Sequence, residues 1–332
     1  MKILIRTDAG VQIGNGHIIR MLALADQLGS RKIDFAFALK QDDFWLAQLR
    51  GRGYHTIQLS DDERELLNLV QNEKVTHLIY DTRNDLTVEQ LSSLKEKTKV
   101  KLIVIDSPED TRLVADVNIY PPIPQVKEWS WDNFKGQNFS GWEYVLLRKE
   151  IALTGAGQKK NKQILLSFGS TDPFLLTEWA LGEIILNHDL FEEFELVLVV
   201  GPQFNRLDAV KKLPGLEKLN ITILQGPGSI EKIFQSVHFA FIALGVTAYE
   251  LAALSVPFLF VSISEDHAKS GEVFESNGLG YSLGIINKSL DNFGEKVGRF
   301  MNKKETVEGN LKNFGTHHKI CDWPRIVNAI IN

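Results

Sequence analysis

Cysteine is almost missing from this chain: Cys321 is the single one in 332 residues. It cannot close an internal disulfide, and no group of cysteines exists to hold zinc. A basic excess is missing too, with 37 Lys+Arg against 42 Asp+Glu and a net charge of −5. Duplex binding calls for a basic stripe, so no nucleic-acid partner is expected. Long apolar runs are absent. The first, Ile3 to Ile5, is stopped by Arg6 and Asp8, which is too short for a signal peptide. The most apolar region, 237–263, is interrupted by Gly245, Glu250, Ser255 and Pro257. No stretch of about 18–20 apolar residues appears, so no membrane span is expected. The single cysteine suits a reducing cytoplasm, and the chain is expected to be a monomer or weak oligomer.

What is present is an ordinary globular balance, 44% hydrophobic and 24% charged, which excludes a largely disordered chain. Short apolar runs at 2–6, 33–39, 75–80 and 101–105 read as strands. Helical patterns at 17–29, 42–52, 61–73 and 87–97 alternate with them. In the first helix Ile18, Met21, Leu22, Ala25 and Leu28 fall on one side. Such alternation implies parallel sheet covered by helices. The pattern breaks at 121–142, rich in Pro and Gly, where Trp129, Trp131 and Trp142 read as packing. The polar segment 154–163 reads as a linker. A second alternation follows, with strands at 163–168, 195–200, 220–224, 238–243 and 257–262. Its helices are expected at 174–187, 205–213, 229–236, 247–254 and 267–276. The expected fold class is therefore α/β, with one domain over 1–153 and a second over 164–315. A C-terminal helix over 316–332 would pack back on the first domain. Two similar domains facing a cleft is the simplest arrangement; a single wide sheet is the alternative.

After the first strand comes Asp8-Ala9-Gly10-Val11-Gln12-Ile13-Gly14-Asn15-Gly16-His17. The glycines permit positive φ and close backbone approach, and the next helix start offers free N–H groups to an anion. The loop is neither a Walker A sequence nor a G-x-G-x-x-G fingerprint. Its distinctive residue is His17, able to act as general acid or base near neutral pH. Spacing alone leaves it equally a local helix-start residue. Asp81 and Asp106 each follow a strand, at the carboxyl edge where α/β proteins collect function.

In the second half, strand 163–168 runs into Gly169-Ser170-Thr171-Asp172-Pro173, where Ser170 or Thr171 could cap the next helix. Strand 238–243 leads to Gly245-Val246-Thr247 and a helix carrying Glu250. Such a loop can seat a pyrophosphate. Glu250 can accept hydrogen bonds from a ribose diol, or be a solvated helix carboxylate. Ser264-Glu265-Asp266-His267 follows a buried strand and could form a site wall. Neighbouring residues converge poorly on one ion, so no metal is expected there. His317-His318 reads as a solvated pair.

Taken in order, these segments resemble the PseG family of UDP-sugar hydrolases of pseudaminic acid biosynthesis. Spore-coat polysaccharide proteins of the SpsG type are related. The resemblance lies in Ile5-Arg6-Thr7-Asp8-Ala9, Ile13-Gly14-Asn15-Gly16-His17 with Arg20, and Tyr144–Glu150. It continues through Ser167–Pro173 and the helix of Thr247 and Glu250 with Val256-Pro257. The later segments are shared with GT-B nucleotide-sugar enzymes such as MurG. The resemblance implies a GT-B fold, two Rossmann-like domains with the nucleotide held mainly by the second. It makes His17 catalytic and Glu250 a ribose contact, with Gly169, Ser170, Thr171, Asp172, Gly245, Val246 and Thr247 near the diphosphate. Asp266 and His267, also expected on the nucleotide side, stand where the family often has Asn-Gln. The chain also departs from it at 169–172, 243–246 and Asp106-Ser107.

The implied reaction is hydrolysis of a UDP-linked amino or deoxy sugar with inversion. Neutral His17 would take a proton from water, Asp8 would orient His17 or a sugar hydroxyl, and Arg6 or Arg20 would support the loop. Arg6, Gly14, Gly16, Arg20, Asp81 and Asp106 are the candidate sugar contacts, and no cofactor is called for. The same residues are compatible with an inverting glycosyltransferase, or with a noncatalytic nucleotide-sugar-binding protein.

Overall fold

A computed structural model describes residues 1–10, 14–152 and 162–332. Residues 154–161 of the expected linker, and Val11, Gln12 and Ile13 of the opening loop, lie outside the described residues. The chain divides into two units: 1–148 with 321–332, and 149–320. The first therefore closes at Arg148 rather than 153, and the C-terminal segment that joins it starts at Cys321 rather than 316.

Unit 1 is a seven-stranded sheet. Its strands are β1 (Lys2–Thr7), β2 (Asp34–Lys40), β3 (Thr56–Leu59), β4 (His77–Asp81), β5 (Lys101–Ile105), β6 (Val117–Tyr120) and β7 (Gln137–Ser140). They pair in parallel in the order β3-β2-β1-β4-β5-β6-β7. Helices cover both faces, which is why the run Ile3-Leu4-Ile5 is buried without alternation. The helix Gly16–Ser30 buries Ile18, Met21, Leu22, Ala25 and Leu28, the stripe read from the sequence. Three later helices start where side chains satisfy their free N–H groups: Asp42, Asp62 and Thr87, the last in a capping box with Gln90. The segment 121–142 packs Trp129 and Trp131 beside Tyr120 and Phe134 beside Trp131, and the Arg112 guanidinium lies 5.3 and 5.4 Å from the two indole rings. The tryptophans are packing residues.

Unit 2 has a separate six-stranded parallel sheet, so the single wide sheet is excluded. Its strands are β8 (Gln163–Ser167), β9 (Glu195–Val200), β10 (Ile221–Gln225), β11 (Phe239–Ala243), β12 (Phe258–Ser262) and β13 (Gly280–Ile285). The order is β10-β9-β8-β11-β12-β13. Both sheets thus follow the doubly wound pattern 3-2-1-4-5-6, with an extra edge strand in the first. In such sheets ligands bind outside the carboxyl ends of the strands, where the order reverses. That point lies between β1 and β4 in unit 1 and between β8 and β11 in unit 2. His317 and His318 are exposed as expected, but His318 stacks on Phe314 with ring centroids 4.2 Å apart.

Candidate active site

At the unit 1 switch point the register sets Thr7 of β1 opposite Asp81 of β4. The chain turns after β1 through Gly10 and Gly14, whose amide donates to the Gly10 carbonyl at 2.8 Å. Gly14 has φ 74°, in the left-handed region open to glycine, and Gly16 begins the helix. Asn15 precedes that helix without capping it; its Oδ1 accepts from the Trp45 indole at 2.9 Å. The turn delivers His17 to Asp81. His17 Nδ1 lies 2.6 Å from Asp81 Oδ1, and Asp81 is fully buried. A carboxylate only accepts, so this contact assigns the Nδ1 proton to the bond with Asp81. Nε2 is then the nitrogen with an available lone pair.

Arg20, one turn on, clamps the same carboxylate. Its Nε donates to Asp81 Oδ2 at 2.7 Å and its Nη2 to Oδ1 at 2.5 Å. Its Nη1 donates to Asp106 Oδ2 at 2.6 Å, beyond the end of β5. Burial works against the Arg20 charge, but Asp81 and Asp106 outweigh it and hold the guanidinium firmly protonated. Burial likewise pushes the Asp81 carboxyl up, and Arg20 followed by His17 overcomes it, so Asp81 stays well below the usual carboxylate range.

The roles anticipated for Asp8 and Arg6 change. Asp8 Oδ1 and Oδ2 are taken by Arg6 Nη1 and Nη2 at 2.5 and 2.7 Å, and Oδ1 also accepts from the Lys40 amide. The carboxylate that orients His17 is Asp81, not Asp8. Arg6 is turned inward, 1% exposed, with further bonds to Asp85 and the Thr7 carbonyl. It braces the loop and does not face a ligand. Thr7 Oγ1, buried at the same edge, has no hydrogen-bond partner among the described residues.

At the unit 2 switch point, β8 leads into an exposed Gly169 with φ 92°, a half-buried Ser170, and buried Thr171 and Asp172. The following helix starts after Leu175, and the side chain that satisfies its first amides is Asp172, rather than Ser170 or Thr171. Its Oδ1 and Oδ2 accept from the Leu176 and Thr177 amides at 2.9 and 2.8 Å. Burial raises its carboxyl pKa against those bonds. An inward, doubly occupied carboxylate does not contact a diphosphate, so Asp172 shapes the turn from beneath. Gly201, after β9, abuts Ser170: a Cβ there would stand 2.4 Å from the Ser170 Cβ and carbonyl oxygen. No sequence motif announced that packing.

After β11, Gly245 is exposed, and the helix Val246–Ala253 begins beside it with Val246 and Thr247 half-buried. Glu250 is 1% exposed, which excludes the solvated-carboxylate reading. Farther along, Asp266 is exposed and His267 half-buried in the helix Glu265–Ser276, whose cap is Ser264. Two open depressions, about 620 Å³ beside Asn310 and His318 and about 430 Å³ beside Tyr144 and Arg325, contain none of these residues. Among the described residues, His188, Asp189 and Glu192 bring ligand atoms within 4.8 Å of one another, away from both switch points.

No family model matches the chain. It is similar to an uncharacterized protein of Methanocaldococcus jannaschii, 28% identical over 80% of this chain and 56% of that protein. It is 21% identical to the spore coat polysaccharide biosynthesis protein SpsG of Bacillus subtilis, over 86% and 84% of the two chains. It is 30% identical to the UDP-2,4-diacetamido-2,4,6-trideoxy-beta-L-altropyranose hydrolase of Campylobacter jejuni, over 52% of this chain and 61% of that enzyme. The chain is thus similar to this hydrolase and to SpsG. The alignments span little more than half of the archaeal and Campylobacter relatives. In fold, the chain matches MurG of Acinetobacter baumannii with a TM-score of 0.71, at 14% identity over 99% of both chains. It matches the spinosyn rhamnosyltransferase SpnG, complexed with thymidine diphosphate, with a TM-score of 0.66 at 14% identity over the whole of both. At that identity the likeness is one of architecture: two Rossmann-like domains of the GT-B kind. Among the described residues no helix is long and apolar enough to cross a membrane.

Proposed function

We propose that this PseG-like chain hydrolyses a nucleotide-activated sugar, an amino or deoxy sugar on UDP, to free sugar and nucleoside diphosphate with inversion. The observation that carries the reading is the bond between His17 Nδ1 and buried Asp81, which leaves Nε2 as the proton acceptor. The relatives support the substrate class, since one is a UDP-sugar hydrolase and another a polysaccharide biosynthesis protein. The proton goes from water to Nε2 as the water oxygen bonds to the anomeric carbon. The bond from that carbon to the diphosphate oxygen breaks, and its electron pair leaves with the nucleotide. A negative charge of that kind is stabilised by backbone N–H groups at a helix start. Unit 2 offers such a start beside Gly245, with the Gly169–Ser170 turn at the same switch point. Buried Glu250 is the candidate ribose contact.

The test is to incubate the protein with UDP- and CMP-linked sugars and no acceptor, following the anomeric signals by NMR. Free sugar of inverted configuration is expected from a UDP-amino sugar. Release only on adding an acceptor would make the protein a transferase. UDP binding with no turnover across the panel would make it a binding protein.

A further inference from the structure

The charges around His17 exceed what orienting an imidazole requires. Asp81 by itself gives a positive ring little support, because Arg20 donates to both of its oxygens. Arg20 Nη2 also stands 3.1 Å from His17 Nδ1, where a guanidinium opposes a protonated ring. Asp106 offsets this by taking Arg20 Nη1 at 2.6 Å. With the ring neutral, Asp81, Arg20 and Asp106 together carry one net negative charge; with the ring protonated, the group is neutral.

The neighbouring charges are engaged elsewhere. Arg6 pairs with Asp8 and Asp85, and Lys40 with Asp85 and Asp61. Arg83 donates to the Asp106 carbonyl and stays 3.9 Å from Oδ2, so it anchors that backbone more than it pairs the carboxylate. Asp106 is held there at φ 50°, a left-handed conformation that a non-glycine residue keeps only where its surroundings impose it.

We propose that Asp106 is a positioning residue for His17: acting through Arg20 and Asp81, it draws the guanidinium off the imidazole and supplies the negative charge that a protonated ring needs. This role replaces the sugar contact anticipated for it. It rests on His17 being the base, but it can be tested without turnover.

The full chain is labelled with ¹⁵N-histidine, and His17 is assigned by the signals lost in His17→Gln. The ring is then titrated by NMR with no substrate. In the unsubstituted protein the neutral ring is expected to carry its proton on Nδ1. Asp106→Asn is expected to lower the titration midpoint of the ring by about half a pH unit or more, the effect of losing a nearby opposite charge. Asp106→Glu should recover most of that shift, and Arg20→Gln should move it upward. Asp106→Ala reads the same charge loss should the Asn variant fold poorly. A midpoint unchanged or raised in both Asp106→Asn and Asp106→Ala overturns the proposal. If the unsubstituted protein releases no free sugar, hydrolysis fails as the reading while this titration still decides the role of Asp106.

Discussion

Asp81, the last residue of β4, meets the first turn of the helix that follows β1 by accepting from His17 Nδ1 at 2.6 Å. These residues are 64 positions apart, joined because β1 and β4 are neighbours in the sheet. The contact fixes one ring nitrogen and leaves the other for chemistry. His17→Ala removes that nitrogen. General-base help is worth about 10²–10⁴-fold, so turnover of the UDP-sugar that the substrate screen identifies should fall by that factor. UDP affinity, measured by calorimetry, should stay within about twofold of the unsubstituted protein, because His17 belongs to unit 1. Unchanged turnover would remove His17 as the base.

Asp81 also links the site to stability. Its folded pKa lies below its unfolded value, so the ionised carboxylate stabilises the fold above about pH 4. That contribution is lost as pH falls from there through the folded value. Asp81→Asn leaves Arg20 with one carboxylate fewer and should cost about 3 kcal/mol at pH 7. The difference from the unsubstituted protein should shrink steadily below about pH 4. Urea unfolding at pH 7, 5 and 3 reads both the loss and its decline. A gap that stays constant with pH would mean that the asparagine acts through packing and not through charge.

Much of the frame is legible in the sequence because central parallel strands are buried on both faces and show as apolar runs, such as Leu196–Val200. Four strands have no such signal: Thr56–Leu59, Val117–Tyr120, Gln137–Ser140 and Gly280–Ile285. Gln137–Ser140 is an exposed, polar edge strand. Val117–Tyr120 carries Asn118, buried because its amide donates to the Arg112 carbonyl at 2.9 Å. The 25-residue helix Phe293–His317 was missed although Phe293, Val297, Phe300, Val307, Leu311 and Phe314 keep helical spacing. Its apolar stripe is one residue wide and sits among charges. In the site, His17, Arg20, Asp81 and Asp106 are each visible as residues at strand or helix ends. Their pairing is not, because it follows from strand order. Asp8, nearer His17 in the chain, is the partner that sequence proximity suggests, but Arg6 occupies both of its oxygens.

Asp172 tests the distinction between a ligand contact and a cap. It satisfies two amides at the start of the helix Leu176–Leu186, and Arg206 Nη2 adds a bond to its carbonyl at 2.7 Å. Asp172→Ala should lower stability by about 1–2 kcal/mol, the cost of a lost cap. Asp172→Asn retains one acceptor and should lose less. Denaturant midpoints for the pair give the order directly, and equal losses would argue against capping as the cause.

Gly201 offers a way to disturb the unit 2 turn without touching a residue that faces ligand. Its amide donates to the Ser170 carbonyl at 3.0 Å, and an added Cβ would lie 2.4 Å from that same oxygen. Both the Ser170 Cβ and its backbone are in the way, so a rotamer change cannot relieve the clash. Gly201→Ala must therefore displace the Gly169–Ser170 turn, at a cost of about 1–3 kcal/mol for overpacking. If that turn holds the diphosphate, UDP affinity should fall by about tenfold or more, equivalent to about 1.4 kcal/mol. Uridine, which lacks the diphosphate, should bind almost as before. Calorimetry with UDP and uridine on the same preparation separates the two contributions. Equal loss for both ligands would show that the substitution unsettles unit 2 as a whole, and no loss for UDP would remove the turn from the diphosphate site.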